Sequence, residues 1–258
     1  MTISIPSDLS IGSIHSSKTS GFFSIKTYIN SRNVVVKFLD TDHEVTSNVG
    51  NIRRGNIKDP LFRSVLGVGF VGVGSFPAIV SRGYDAWRCM LIRCYSEKFH
   101  NSEPSYADCT VCEEWHNYQN FAKWHEENYP KDGITYALDK DLIDIGNKVY
   151  SPDKCVYVTQ EVNSITTDMH RARGNMMIGV DFISKKNLFR SRCSHGSKSI
   201  CLGYFNDQES AHEAWRKSKS NYAIKLSLSQ SNDIVRESLV NYSIAIDNRT
   251  IYKDGYVK

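Results

Sequence analysis

"MMIGVDFISKKNLFRSRCSHGSKSICLGYFNDQESAHEAW" (residues 176–215) holds the change from a strand-like to a helical pattern on which the fold is read. "MMIGVDFI", "LFRSRCSH" and "SICLGYF" are short runs separated by the turn stretches "SKKN" and "GSK". They predict three short strands. "NDQESAHEAWRKSKSNYAIKL" then opens on an Asn-Asp cap and carries Ala211, Ala214, Trp215 and Ser218 along one face, which predicts a helix. On the middle strand Arg190 and Arg192 share a face, and Lys185, Lys186 and Lys198 stand at the turns on either side. Arginines on a sheet face with lysines at its edges suit contact with base edges and phosphates. The plainer alternative is an ordinary solvated sheet face.

Working outward, the charge is unevenly placed. The chain of 258 residues has a net charge of +4, but residues 96–170 hold 14 acidic against 6 basic residues. Residues 171–225 reverse this, with 11 basic against 4 acidic, and residues 1–63 hold 8 basic against 5 acidic. Basic ends around an acidic middle suit a chain that grips phosphate at its ends and cations at its centre. Solvated faces of differing sign are the alternative. With 40% hydrophobic residues the chain can bury a core. No apolar run approaches the length of a membrane span, and the first residues lack the order of a signal peptide. A soluble, intracellular protein is expected, with the cysteines free or metal-bound rather than disulfide-bonded.

Upstream, "FFSIKTYI", "NVVVKFL" and "HEVTSNVGNI" predict a small antiparallel sheet or barrel. The glycine-rich "GVGFVGVGSF" (67–76) lacks the Gly-Lys-Ser/Thr ending of a phosphate loop and is read as a tight connector. "YDAWRCMLIRCYSEKF" and "VCEEWHNYQNFAKWHEENY" predict two helices with apolar stripes for core packing.

The "GV" at 179–180, the arginine-bearing strand, "LGYF" at 202–205 and "ESAHEAW" at 209–215 together resemble the AP2 DNA-binding domain over roughly residues 175–225. That resemblance implies a three-stranded sheet lying in the major groove with the helix packed behind. Residues 84–164 resemble phage proteins related to HNH endonucleases, through "YDAWRCMLIRCY", "VCEEW" and "LDKDL…GNKVYSPDKCVYVT…VN". The N-terminal stretch is similar to the β-module preceding that core. The expected fold is α+β: a β-module at 1–78, an HNH-like (ββα-metal-related) core at 79–170, an AP2-like domain at 171–228 and an extension at 229–258. The implied partner is double-stranded DNA, and the implied setting is a phage gene product in the host cytoplasm.

An HNH core pairs a histidine base with metal-holding acids and asparagines. Here Asp139 matches the metal-binding acid, Lys140 stands at the base position, Lys154 at the second asparagine and Asn163 at the helical one. A lysine near its ordinary value is a poor base at neutral pH. The resemblance thus implies Asp139, Lys140, Asp141 and Asn163 as catalytic candidates, with Asp139 and Asp141 binding Mg²⁺ or Mn²⁺ from a surface turn. Cys94, Cys109, Cys112 and Cys155 offer a structural zinc site, because Cys-x-x-Cys at 109–112 is a sound half-site. Buried free thiols are the alternative. Arg53, Arg54, Lys58, Arg171, Arg173, Lys185, Lys186, Arg190, Arg192 and Lys198 form the candidate DNA-binding set. The function expected is a homing-type endonuclease. A non-catalytic DNA-binding regulator, or a protein that targets a host factor, stands beside it.

Overall fold

The computed structural model describes residues 4–79, 81–166 and 175–251. The protein is mixed α+β with several small sheets. It divides into two compact units, residues 1–127 and 128–258, so the stretch 79–170 is shared between them. No described helix is long and apolar enough to cross a membrane.

In the first unit, strands β1 (Ile14–Ser16), β2 (Phe22–Asn30), β3 (Asn33–Phe38) and β4 (Glu44–Ser47) form an antiparallel sheet in chain order. Alternation puts Phe23 and Ile25 of β2, and Val34, Val36 and Phe38 of β3, on one face. They close on Leu9, Ile57 and Ile52 of the short helix α1 (Val49–Arg53). Leu9 and β1 were not foreseen in the sequence.

The rest of this unit is built on aromatic side chains. Helix α2 (Arg82–Tyr95) starts on Ser81, whose side chain accepts from the Tyr84 N–H. Its run stops at Ser96, which caps a second helix, α3 (Glu97–Ser102), so the single helix expected over 84–99 is broken in two. The second expected helix is also interrupted. Thr110–Val111 is the short strand β5, residues 113–116 make a 3-10 turn, and α4 spans Tyr118–Asn128. Buried Trp87 donates its indole N–H to the Trp115 carbonyl at 2.7 Å. In the glycine-rich connector Gly69, Gly72 and Gly74 are closely packed, whereas Gly67 has open space at a φ of +71°. Gln119 bonds the backbone of Val71 and Phe76, and a Cβ at Gly74 would lie 2.3 Å from the Gln119 amide oxygen.

In the second unit, strand β6 (Tyr136–Asp139) pairs antiparallel with β8 (Val156–Thr159), and β7 (Val149–Tyr150) lies in the intervening loop. The short helix α5 (Gln160–Asn163) follows, capped by Thr159. Strands β9 (Val180–Ile183), β10 (Leu188–His195) and β11 (Lys198–Phe205) form an antiparallel sheet with β10 in the middle. Helix α6 (Gln208–Ser227) is capped by Asp207, and a last helix α7 (Asp233–Asp247) is capped by Asn232. The stretch 229–258, expected as an extension, therefore supplies a core element. Its Val235, Leu239, Tyr242 and Ile246 join Trp215, Tyr222, Cys193, Val156, Val158 and Val162 in one hydrophobic cluster.

Gly179 is where this unit is tightest. Its φ is +79°, a region L side chains rarely adopt, and a Cβ there would sit 2.1 Å from Trp215 Cδ1. Gly179→Ala is expected to lose about 2 kcal/mol or more of stability, through backbone strain and overpacking together. Denaturant unfolding of the two proteins checks this; equal midpoints would mean that the indole swings clear at no cost.

Candidate functional site

Two groups of candidate residues lie in the second unit. The first is the turn after β6. Asp139 ends that strand and is buried, at 6% exposure, rather than standing in a surface turn as expected. Its Oδ1 accepts the backbone N–H groups of Asp141 (2.9 Å) and Leu142 (2.7 Å), which fixes the chain reversal. Burial, with the neighbouring Asp141 charge, holds its carboxyl above the ordinary value of 3.8, against the pull of those two bonds.

Lys140 is buried too. Its Nζ donates to Asp141 Oδ1 (2.6 Å) and to the Asn147 carbonyl (2.8 Å), while Asn147 Nδ2 returns a bond to the Lys140 carbonyl (2.9 Å). The lysine at the expected base position thus closes the 140–147 loop. Lys154 pairs with Asp144 at 2.9 Å. Asn163 is half-buried on α5, the helix that lies beside β6.

The second group is the solvent face of the β9–β11 sheet. Cross-strand pairing sets Asp181 of β9 opposite Arg190, and Tyr204 of β11 on the other side of it. A bulge between Ser191 and Arg192 leaves Arg192 on the same face. Arg190 donates Nε (3.2 Å) and Nη2 (2.9 Å) to Asp181 Oδ2. Arg192 donates Nε to Oδ2 (2.6 Å) and Nη2 to Oδ1 (3.0 Å). Burial alone would push the Asp181 carboxyl up, but the bonds from Arg192 and Arg190 outweigh it and hold it below the usual carboxylate value.

Each guanidinium has five N–H donors, so Nη1 and one Nη2 proton of each remain free of Asp181. Lys186, in the β9–β10 turn, lies with its Nζ 3.9 Å from the centre of the Tyr204 ring. Lys185 and Lys198 are exposed at the two turns. The sequence foresaw the shared face of the arginines but not Asp181, whose role depends on cross-strand register; the acid in "VDF" beside an arginine-bearing strand is the signal that pointed to it.

Of the other candidates, Arg53 makes two bonds to Asp8 (2.8 and 2.9 Å), Arg54 bonds Asn51 at 3.1 Å, and Lys58 is exposed, all in the first unit. Arg171 and Arg173 lie outside the described residues. Cys94 and Cys109 are buried and Cys112 half-buried in the first unit, and Cys155 is buried in the second. Among the described residues no three or more His, Cys, Asp or Glu side chains gather so as to hold a metal ion. For Mg²⁺ or Mn²⁺ the turn offers a thin donor set: Asp139 Oδ1 is engaged by two N–H groups, and Asp141 is neutralised by Lys140.

No protein-family model, no curated protein and no solved structure matches the chain.

Asp139 gives a pH test. The folded state holds its proton more tightly than the unfolded chain, so this carboxyl favours folding most below 3.8, and that contribution is lost as pH rises through the raised value. Asp139→Asn keeps an oxygen for both turn bonds and cannot ionise. The variant is expected to be at least as stable as the parent at pH 7, with the gap narrowing as pH falls toward 3.8. Urea melts across that range check it; a variant less stable at pH 7 would show the carboxylate charge itself holding the turn.

Proposed function

We propose that this protein binds double-stranded DNA through the β9–β11 sheet, as a modular, site-preferring protein of the phage type. The observation that carries the reading is the Arg190–Asp181–Arg192 fork. One acid fixes two guanidiniums side-on, so their outer edges are ordered before any ligand arrives. Such an edge matches the O6 and N7 acceptors of guanine, the commonest specific contact in the major groove. The trio keeps a net positive charge. Lys186, spread over Tyr204, together with Lys185 and Lys198 at the turns, suits the phosphates on either side. Arg53, Arg54 and Lys58 of the first unit are further candidates for phosphate contact that reads no sequence.

Affinity for a preferred site should fall steeply with salt as counterions are released. Arg190→Ala with Arg192→Ala is expected to remove sequence preference, with roughly tenfold or more lost for each bidentate contact. Asp181→Asn should weaken preference while leaving non-specific binding intact, because the arginines stay charged but lose their anchor. Gel-shift titrations against preferred and scrambled duplexes measure both. A double variant that prefers its site as the parent does would sink the reading.

A second reading, cleavage of phosphodiester bonds, is favoured by the antiparallel β6–β8 pair followed at once by α5, with an acid at the end of the first strand. It is the endonuclease that the HNH resemblance implies, against a regulator that only binds. Incubation with plasmid DNA and Mg²⁺ or Mn²⁺ tests it. If Asp139 belongs to an active site, Asp139→Asn abolishes cutting while folding and DNA affinity persist. Cutting that survives this change places the chemistry elsewhere, and a parent that binds without cutting is the regulator.

A further inference from the structure

Between α5, the β10–β11 turn and the C-terminal half of α6 lies a cavity of about 880 Å³, within the range of small-molecule sites. Lys198 from the turn and Lys225 from α6 line it, with the hydroxyls of Ser164, Ser197 and Ser229. Neither lysine forms an ion pair among the described residues. Ile200 and Leu226 supply apolar wall.

The remaining wall is already built and internally bonded. The rings of His195 and Tyr222 stack at 4.2 Å with 1° between their planes. Tyr222 donates its hydroxyl to Glu161 Oε1 at 2.5 Å, and His195 Nε2 meets Ser218 Oγ at 3.1 Å. Gly196 lets the turn approach closely: its φ is +59°, and a Cβ there would fall 2.9 Å from the Glu161 carboxylate.

We propose that this cavity binds the phosphate group of a nucleotide, held by Lys198 and Lys225 with the Ser197 hydroxyl as a further donor; the hydroxyls of Ser164 and Ser229 already donate to the Glu161 and Leu226 carbonyls. Three observations favour that class. The volume far exceeds what a bare anion fills, and the Ile200 and Leu226 side offers apolar surface to a base or sugar. The lining sets two lysines against one acid, Glu161, whose Oε1 accepts from the Tyr222 hydroxyl. The surrounding charge is positive: Lys198 and Lys225 line the cavity, and Lys219 of α6 lies close to His195 and Cys193, although burial holds its ammonium below the usual value. Around them, burial pushes the Cys193 thiol up, and burial with Glu161 raises the Tyr222 phenol, so both are neutral. Burial, then Lys219 and Lys225, hold the His195 imidazole below its usual value. A bound phosphate offsets that positive field.

The phosphate belongs either to a free nucleotide or to the end of a nucleic-acid strand, and the test separates them. His195 is titrated by NMR in the full chain, alone and with inorganic phosphate, deoxyadenosine monophosphate, or a short 5′-phosphorylated single-stranded oligonucleotide. Occupancy is expected to move the His195 midpoint upward by roughly one pH unit. Lys225→Glu should weaken binding of the effective probe about tenfold or more, and Lys225→Arg should retain it. A response to the mononucleotide but not the oligonucleotide assigns a free nucleotide; the reverse assigns a strand end. Lys225 takes no part in the sheet face, so duplex binding by Lys225→Glu stays at the parent level and reports separately on that face. No movement of His195 with any of the three probes, or a Lys225→Glu variant that binds as the parent does, overturns the proposal.

Discussion

The second unit depends on helix α6 being enclosed from two directions. One side, with Ala211, Trp215 and Tyr222, packs toward the β9–β11 sheet; another faces α7. A helix so enclosed must bury polar groups, and each then needs a partner. His212 donates from Nδ1 to the Ile178 carbonyl at 2.9 Å, Ser220 and Ser243 share a bond at 2.8 Å, and Arg216 reaches the Ile246 carbonyl. Orphaning any of them costs more than its bond contributes. These pairings therefore fix the register of α7 on α6 and the seat of Trp215 over Gly179. The sheet face carrying Arg190 and Arg192 is thus held from behind.

The same enclosure makes one body of segments that read as separate modules. Val156 and Val158 of β8, Val162 of α5 and Leu142 from the turn lie in one cluster with Trp215, Leu239 and Tyr242. Tyr242 also donates its hydroxyl to the Ile165 carbonyl at 3.0 Å. The β6–β8 hairpin and the β9–β11 sheet thus share a core, and a cavity opened under one is felt by the other. A truncation at residue 228 would strip Val235, Leu239, Tyr242 and Ile246 from that core and expose the polar side of α6.

What could be read in the sequence follows from the range of the interactions involved. The three strands, the cap before α6, and the face of Ala211 and Trp215 are local patterns, and they were legible. Gly179 was not, because its closeness to Trp215 is set by the seating of α6 on the sheet. Helix α7 was missed because Ser238 and Ser243 occupy buried positions, which thins the apolar stripe that announces a helix. The breaks at Ser96 and at residues 112–117 were missed because the aromatic spacing runs on across them. At the candidate site, the face of Arg190 and Arg192 follows from alternation alone. The anchor Asp181 needed strand register, and the burial of Asp139 and Lys140 needed tertiary packing.

Asp181 and Asp139 show how far one residue type can be pushed in opposite directions. Both sit on strands of the same unit, and desolvation acts on both. Asp181 has two guanidiniums donating into it and stays ionised, so it can serve as a fixed anchor. Asp139 has two backbone N–H groups, and the nearest cation, on Lys140, is turned to Asp141 instead. The loop-closing exchange between Lys140 and Asn147 explains that direction: the ammonium satisfies the Asn147 carbonyl and the Asp141 carboxylate at once, in a place where a neutral imidazole would leave Asp141 without its cation. A lysine at this position is accounted for by the loop it closes. What the turn keeps for chemistry is the Asp139 carboxyl, which burial raises above its ordinary value.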